Sequence, residues 1–296
     1  MQFRFLEYFI ALAEERHFAR AAKRCNVTQP TLSAGIVALE SLLGKRLALR
    51  DRRFIDLTPE GYAILPHVRA LIAGHDELRH SIDAGGSLRG ELRLGVIPAA
   101  MPQIGGLIGA LHASHPELRV AVRQLTSAAI VEGIGNFELD AGLTYLETES
   151  RAGIQSVALF EECYRFATHV EGRFGARQSV TLAEVVSEPL CLLHHGMQNR
   201  RILDGHLARA ELAAAPVATS DSYLALLSMV ASGGLSSVMT TSHAGFVGPD
   251  LKVRLIEISD LPQSNGVALI VTDRGPVSPF ARAALAAARA LQSNLP

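Results

Sequence analysis

The chain has no tryptophan, three cysteines, and aromatic residues at only 5% of its positions. Cys25, Cys163 and Cys191 form an odd, widely spaced set without a CxxC pair, which signals neither a disulfide framework nor a zinc site. No stretch approaches about 18 uninterrupted apolar residues. The opening MQFRFLEYFIALAEERHF carries acids inside its apolar run and no cleavage signal. Neither secretion nor membrane insertion is expected, and a cytoplasmic protein with reduced thiols is the plain reading. Catalytic signatures are missing as well: there is no GxSxG, HExxH or GxxxxGK[ST] string, and Gly105-Gly106 with Gly109 lacks the strand that precedes a dinucleotide fingerprint. His194-His195 and His112-x-x-His115 have no cysteine or carboxylate at ligand spacing and read as a cleft rim or loop. No metal, cofactor or catalytic residue is expected, and the chain does not read as an enzyme.

What is present is core. Hydrophobic residues make up 48% of 296 positions, enough for packed domains, and the length favours two of them over one. The formal net charge of -1 is unevenly spread. The first ninety residues are net basic and the remainder net acidic, with KRLALRDRR (45–53) holding five bases and one acid. A basic front on an acidic body suggests that one part meets a polyanion.

Leu6, Phe9, Ile10 and Ala13 form the stripe of a first amphipathic helix. FARAAKRC makes a second, with Phe18, Ala21, Ala22 and Cys25 on one face, and Asn26-Val27 turns the chain. Thr28 is an N-cap for a third helix, with Pro30 in its first turn, Gly44 as its stop, and Leu32, Ile36, Leu39 and Leu43 as its core face. Those four point inward, so Gln29, Pro30, Thr31, Ser33 and Ala34 lie at the outward, N-terminal end. Short helices, a tight turn and small polar side chains at a helix start make a helix-turn-helix. KRLALRDRRFIDLTPEG then alternates as a two-stranded wing with Arg50, Arg52 and Arg53 at its tip. A basic run alone is an ordinary solvated face; directly behind a recognition helix it reads as DNA contact.

Thr58-Pro59-Glu60 starts a long helix, and Gly61, Ile64, Val68, Leu71, His75, Leu78 and Ile82 are spaced as a heptad seam along which two chains can pair. His75 is either a register-setting polar position or, preferably, a packed histidine. Beyond Gly85-Gly86-Ser87 strands and helices alternate. ELRLGVIP, LRVAVRQL, LDAGLTYL, CYRFATH, PLCLLH, PVATS, LSSVMTT, KVRLIEI and GVALIVTD are strand-like, with helices near 103–114, 127–136, 199–212, 222–232 and from 278 onward.

The AA pair of FARAA, the string VTQPTLSAGIVALESLLGKRLALRDRR and the LTPEG that follows occur in the order and spacing of the LysR-type transcriptional regulators, which the front of the chain resembles. The resemblance implies an all-α winged helix-turn-helix N-terminal domain plus a long linker helix, followed by an α/β periplasmic-binding-protein-like effector domain of two subdomains. The divisions expected are 1–58 for the DNA-binding domain, 59–87 for the linker helix and hinge, and 88–296 for the effector-binding domain. Subdomain I would take about 88–163 and 267–296, and subdomain II about 164–266. Carried onto this chain, the family pattern implies DNA-binding roles for Thr28, Gln29, Pro30, Thr31 and Ser33, with Arg50, Arg52 and Arg53 on the backbone. Ala34-Gly35 departs from it, because many members carry a long polar or basic side chain there, so readout leans on Gln29, which can pair bidentately with adenine.

The implied cleft lies where strand ends meet helix starts, which places Pro98, Ala99, Ala100, Met101, Thr126, Ser127, Thr144, His194, Met197 and Asn199 around the effector. Where many members use a hydroxyl after the first strand to hold a carboxylate, this chain has Ala99 and Ala100. Backbone N–H groups, Thr126, Ser127 and His194 are left as donors, for a small organic anion. LEYFIALAEERHF is similar to the peroxide-sensing branch of the family, but the segment matching that branch's sensing cysteine, HHGMQNRR, has Gln198, and Cys191 sits earlier in an apolar strand. The expected partners are double-stranded promoter DNA, a small-molecule effector, RNA polymerase, and further copies of the chain. Dimers would form through the helix from Thr58 to Ala84 and a homotetramer through the bodies. The alternatives are a redox-responsive regulator using a cysteine and a small-molecule-binding or enzymatic α/β protein.

Overall fold

The computed structural model describes residues 2–51, 53–82, 88–146, 153–261, 265–273 and 277–293. Arg52, the side chains of Arg50, Arg53 and Ile82, and the Gly85-Gly86-Ser87 hinge lie outside what is described.

Three helices open the chain: α1 (Phe3–Glu15), α2 (Phe18–Arg24) and α3 (Gln29–Leu43). Their common core holds Leu6, Phe9, Leu12, Ala21, Leu32, Ile36 and Leu39 at 3% exposure or less. Leu43, expected on the core face, is exposed, because the chain leaves α3 at once through Gly44 in the left-handed region (φ 66°) and the last turn finds nothing to pack on. Gly35, one of the two positions that depart from the family pattern, faces inward. A Cβ there would lie 2.5 Å from the Tyr8 ring, so the missing side chain lets α1 and α3 approach.

The wing is the antiparallel pair β1 (Ala48–Asp51) and β2 (Arg53–Leu57). Glu40 anchors it to α3, since its buried carboxylate accepts from the backbone N–H groups of Leu47 (2.9 Å) and Ala48 (3.2 Å). The wing's other strand is held by Asp56, which takes hydrogen bonds from Arg16 (2.5 Å) and Tyr62 (2.6 Å). Helix α4 (Pro59–Ile82) follows without a break at Pro66. Gly61 packs against the Leu47 carbonyl, where any Cβ would collide with backbone, so this first seam position serves the wing rather than pairing. Leu71 and Leu78 are exposed on the single chain, and His75 stacks on Phe3 with ring centroids 4.3 Å apart.

Two α/β units follow. The first is a five-stranded sheet in the order β4-β3-β5-β13-β6, from β3 (Gly90–Val96), β4 (Leu118–Gln124), β5 (Ala141–Tyr145), β6 (Ile154–Glu162) and a late strand β13 (Asn265–Thr272). Strand β3 is parallel to β4 and β5, whereas β13 runs antiparallel to β5 and β6. Helices α5 (Ile104–Ser114), α6 (Ser127–Gly135) and the closing α10 (Pro279–Ser293) accompany this sheet. The second unit contains the sheet β11-β7-β12-β8 and the parallel pair β10-β9. Its elements are β7 (Tyr164–His169), β8 (Ser179–Val180), α7 (Leu182–Val186), β9 (Cys191–Leu193), α8 (Gln198–Arg209), β10 (Ala218–Ser220), α9 (Tyr223–Ala231), β11 (Ser237–Thr240) and β12 (Val253–Ile258).

Strand β6 was not expected, because Gln155, Ser156, Glu161 and Glu162 dilute its apolar signal. Helix α7 was also unforeseen, although its Thr181/Glu184 capping box is a sequence-level start signal. Among the described residues no helix is long and apolar enough to cross a membrane.

The front, the linker helix and the body meet at Arg69. This α4 side chain is 8% exposed, donates to Glu138 at 2.6 Å, and lies 3.7 Å from Glu14 of α1. Glu138 follows α6 directly. Replacing Arg69 by Met is expected to remove about 1.5–3 kcal/mol from this contact, since a hydrogen bond to a charged group is lost. The change should appear as faster hydrogen exchange along α4 with the five-stranded sheet unchanged. Unaltered exchange in α4 would show that the regions keep their places without the ion pair.

Candidate functional site

At the start of α3, Thr28 Oγ1 accepts from the Thr31 N–H (3.4 Å) and lies 2.8 Å from Thr31 Oγ1. The cap therefore orders the turn that projects the neighbouring side chains. Thr28, Gln29, Pro30 and Thr31 are exposed and Ser33 is half-buried. Gln29 borders a surface groove shared with Arg16, His17 and Phe18 on one side and with Phe54 and Ile55 of the wing on the other. Asp56 below this groove has its carboxyl held under the usual carboxylate range by the Tyr62 and Arg16 hydrogen bonds, so it stays charged and keeps the wing docked.

The second candidate region is the cleft between the two α/β units, where β6 of the first gives way to β7 of the second at residues 162–164. Glu162 is buried at this crossing, 1% exposed. Tyr145 Oη donates to its Oε2 (3.0 Å), and Asn199 Nδ2 of α8 donates to Tyr145 Oη (2.8 Å). Ser242 Oγ lies 2.8 Å from Glu162 Oε1 and 2.9 Å from the Ala99 carbonyl, sharing one hydrogen between elements of the two units. Burial pushes the Glu162 carboxyl upward, opposed by the hydrogen bonds from Ser242 and Tyr145. Burial, reinforced by the Glu162 charge, pushes the Tyr145 hydroxyl well above its ordinary range, so it remains a donor.

Beside this network lies a small cavity of about 10 Å³, lined by Ile97, Pro98, Ala99, Thr126, Ser127 and Tyr145 from the first unit and by Leu193, Met197, Gln198 and Asn199 from the second. Helix α6 begins at it, with Thr126 capping the Ala129 N–H (3.2 Å). Helix α8 begins at it too, and its N-cap Met197 offers no side-chain acceptor. Ser127 Oγ and Thr144 Oγ1 are buried without a hydrogen-bond partner. A second, larger chamber of about 260 Å³ is lined by Pro98, Met101, Pro102, Gln124, Ser222, Tyr223, Leu224, Leu227, His243 and Phe246.

Of the residues expected around an effector, Pro98, Ala99, Thr126, Ser127, Met197 and Asn199 line the small cavity, and Met101 with Pro98 lines the larger chamber. Ala100 is fully buried and Thr144 is 1% exposed, and neither lines either chamber. His194 is exposed in the loop after β9, where its Nδ1 accepts from the Gly196 N–H. Tyr145, Leu193, Tyr223 and His243 were not among the residues expected. Tyr145, the last residue of the LDAGLTY strand, is within reach of the strand-end rule, and so are Tyr223 and His243, which follow the expected strands PVATS and LSSVMTT. Cys191 is fully buried in β9, its thiol raised by burial, while Cys25 and Cys163 are partly buried. Among the described residues no group of three or more His, Cys, Asp or Glu is placed to hold a metal ion.

This architecture, a winged helix-turn-helix joined by a helix to two α/β units around a cleft, defines a ligand-linked DNA-binding protein. Residues 3–62 match the bacterial regulatory helix-turn-helix of the lysR family and residues 85–293 match the LysR substrate binding domain. The chain belongs to the LysR family of transcriptional regulators, which are not enzymes. It is 33% identical over 198 residues to the DNA-binding transcriptional dual regulator OxyR of Escherichia coli K12, a match covering 66% of this chain and 65% of that protein. A hydrogen peroxide-inducible genes activator of Pectobacterium carotovorum is 32% identical, again over 65% of its length. The whole chain superposes on a full-length cysteine-to-aspartate variant of OxyR from Pseudomonas aeruginosa with TM-score 0.80 and 26% identity, covering 99% of this chain and 98% of that one. It also matches full-length CbnR complexed with its target DNA, with TM-score 0.69 and 26% identity over 98% of this chain and all of that one.

His243 sets a pH dependence at the cleft. It is 7% exposed, and burial pulls it down to about 4 from 6.5. Between those values the unfolded chain binds more protons, so the native state should lose up to about 3 kcal/mol as pH falls from 6.5 toward 4. Glu162 acts with the opposite sign, because its native carboxyl takes up a proton more readily than the unfolded one. Thermal unfolding across this window should steepen in wild type relative to His243→Gln; equal slopes would remove His243 from the balance.

Proposed function

We propose that the chain is a ligand-responsive regulator that binds interrupted palindromic promoter DNA as an oligomer and senses a small organic anion in the cleft. The observation that carries this reading is the pairing of an exposed, capped α3 start with a cleft that holds the buried, unpartnered Ser127 hydroxyl beside an α8 start without a side-chain cap. The domain division 1–58, 59–87 and 88–296, with subdomains of about 88–163 plus 267–296 and about 164–266, is part of the proposal. Thr28, Gln29, Pro30, Thr31 and Ser33 read the major groove, with Arg50, Arg52 and Arg53 on phosphates. Two chains pair through α4, aided by the exposed Leu71 and Leu78, and bodies associate into a homotetramer. A two-fold pair of recognition helices reads two half-sites where one alone has too little specificity. The CbnR structure, in which a full-length relative is complexed with target DNA, supports the DNA role.

Effector binding at the α6 start displaces that helix. Three residues past its other end stands Glu138, which Arg69 of α4 holds beside Glu14 of α1, so the shift reaches the DNA-binding domain and changes DNA bend and contact with RNA polymerase. Relatives named as hydrogen peroxide-inducible activators raise a thiol switch as the signal. Here α8 opens with Gln198, and Cys191 is sealed in β9 with Sγ 3.5 Å from the Ser236 carbonyl, which favours a ligand over oxidation.

Footprinting of the full chain on the intergenic DNA beside its own coding region, at two salt concentrations, should give salt-sensitive protection of a palindromic site, and binding no tighter than to unrelated DNA would defeat the proposal. Gln29→Ala should lose about 1–3 kcal/mol of discrimination at one base pair per half-site. Arg53→Ala should instead weaken all sequences alike and lower the salt slope by about one unit per half-site. An unchanged base preference in the Gln29 variant would reject its assignment.

A further inference from the structure

The cleft consists of two chambers of unlike chemistry, with Pro98 lining both. The small one has room for roughly one water-sized group, and no Lys, Arg, Asp or Glu lines it. Its free polar atoms are donors. Ser127 Oγ is 1% exposed and has no partner. The first turn of α8 has no side-chain cap, so backbone N–H groups there await an acceptor. The starts of α6 and α8 both turn their positive dipole ends toward the cavity. Glu162 is one hydrogen-bond link behind it, with its two oxygens occupied by Tyr145 and Ser242. One negatively charged oxygen fits here, so a carboxylate would seat one oxygen in the cavity and leave the other at its mouth.

The larger chamber is the reverse. Met101, Pro102, Leu224, Leu227 and Phe246 supply apolar walls, and no Lys, Arg, Asp or Glu lines it. Of its polar members, Tyr223 keeps a buried hydroxyl without a partner, a single neutral donor, and the others are engaged. Gln124 Nε2 donates to the Asp221 carbonyl, Ser222 Oγ accepts from the Ala225 N–H, and His243 Nδ1 lies 2.9 Å from Thr240 Oγ1. A second carboxylate on the same ligand would meet no cation there, and the lone Tyr223 hydroxyl offsets only part of the cost of desolvating it.

We infer that the effector is a monocarboxylate with an apolar tail, its head at Ser127 and the start of α8 and its tail in the chamber walled by Met101, Leu224, Leu227 and Phe246. The inference rests on the reading of this cleft as the effector site and names the ligand class. Dicarboxylates of the same length and neutral head groups are excluded by the same chemistry.

Calorimetry on the full-length protein tests it with acetate, butyrate, hexanoate and octanoate, with adipate and suberate, and with hexanamide. Affinity should climb by up to about fourfold per added methylene along the monocarboxylates. Suberate should bind at least about tenfold more weakly than octanoate, and hexanamide about tenfold more weakly than hexanoate. Ser127→Ala should weaken every monocarboxylate by about fivefold with the chain-length trend intact. Leu224→Asn, at a rim position that tolerates polarity because it is 76% exposed, should flatten the chain-length trend, weakening octanoate far more than acetate. Equal binding of suberate and octanoate, a flat chain-length series, or no binding of any monocarboxylate overturns the inference. Operator titration with and without saturating octanoate separates the two readings. Intact operator binding without carboxylate binding sinks the ligand class alone, whereas the expected binding pattern with an unchanged operator footprint keeps the ligand class and sinks the effector role.

Discussion

The body of this protein depends on a carboxylate buried where two sheets exchange strands. Glu162 ends β6 one residue before the chain enters the second unit, and it is held by Tyr145 from the first unit and Ser242 from the second. A buried charge or proton-carrying acid is expensive unless every lone pair is used, so these partners cannot drift apart cheaply. Because Tyr145 is also the acceptor for Asn199 at the start of α8, the same network sets how near the two helix starts come to each other. The cleft is thus shaped by the polar demands of its floor as much as by the packing around it.

From that floor a mechanical line runs toward the front of the chain. Helix α6 begins at the cavity with Ser127 and ends a few residues before Glu138, so its nine residues form a strut of about 13 Å. Arg69 receives the far end and lies beside Glu14 of α1, whose Tyr8 packs over Gly35 of α3. Each joint is a charged or close-packed contact, so a chain of contacts connects the cleft to α3 without any direct contact between them.

The cleft also explains why relatives named for hydrogen peroxide response do not transfer their chemistry automatically. A reactive thiol needs exposure and a positive neighbourhood. Here the helix start that provides the positive field carries Gln198, while Cys191 lies in the core, where burial raises its thiol pKa and packing isolates it.

The front of the chain was legible from its residues because its determinants are local. Thr28, Pro30 and Gly44 bound α3 by rules that act within a turn, and the 3.6-residue spacing of Leu32, Ile36 and Leu39 marks the buried face. In the body, strands with strong apolar patterns and the turns from strand to helix were also readable, which is how Pro98, Ser127 and Met197 were placed near one another. The sequence by itself therefore determined the helix-turn-helix with its capped third helix, most of the strand and helix alternation of the body, and the family. Only the tertiary structure decided that Gly35 and Gly61 exist for close approach, that Arg69 joins three regions, and that Glu162, Tyr145 and Ser242 meet. Those contacts join residues up to 80 positions apart, and their pairing comes from the solvation cost of polar groups that the fold happens to bury together, which no local periodicity records.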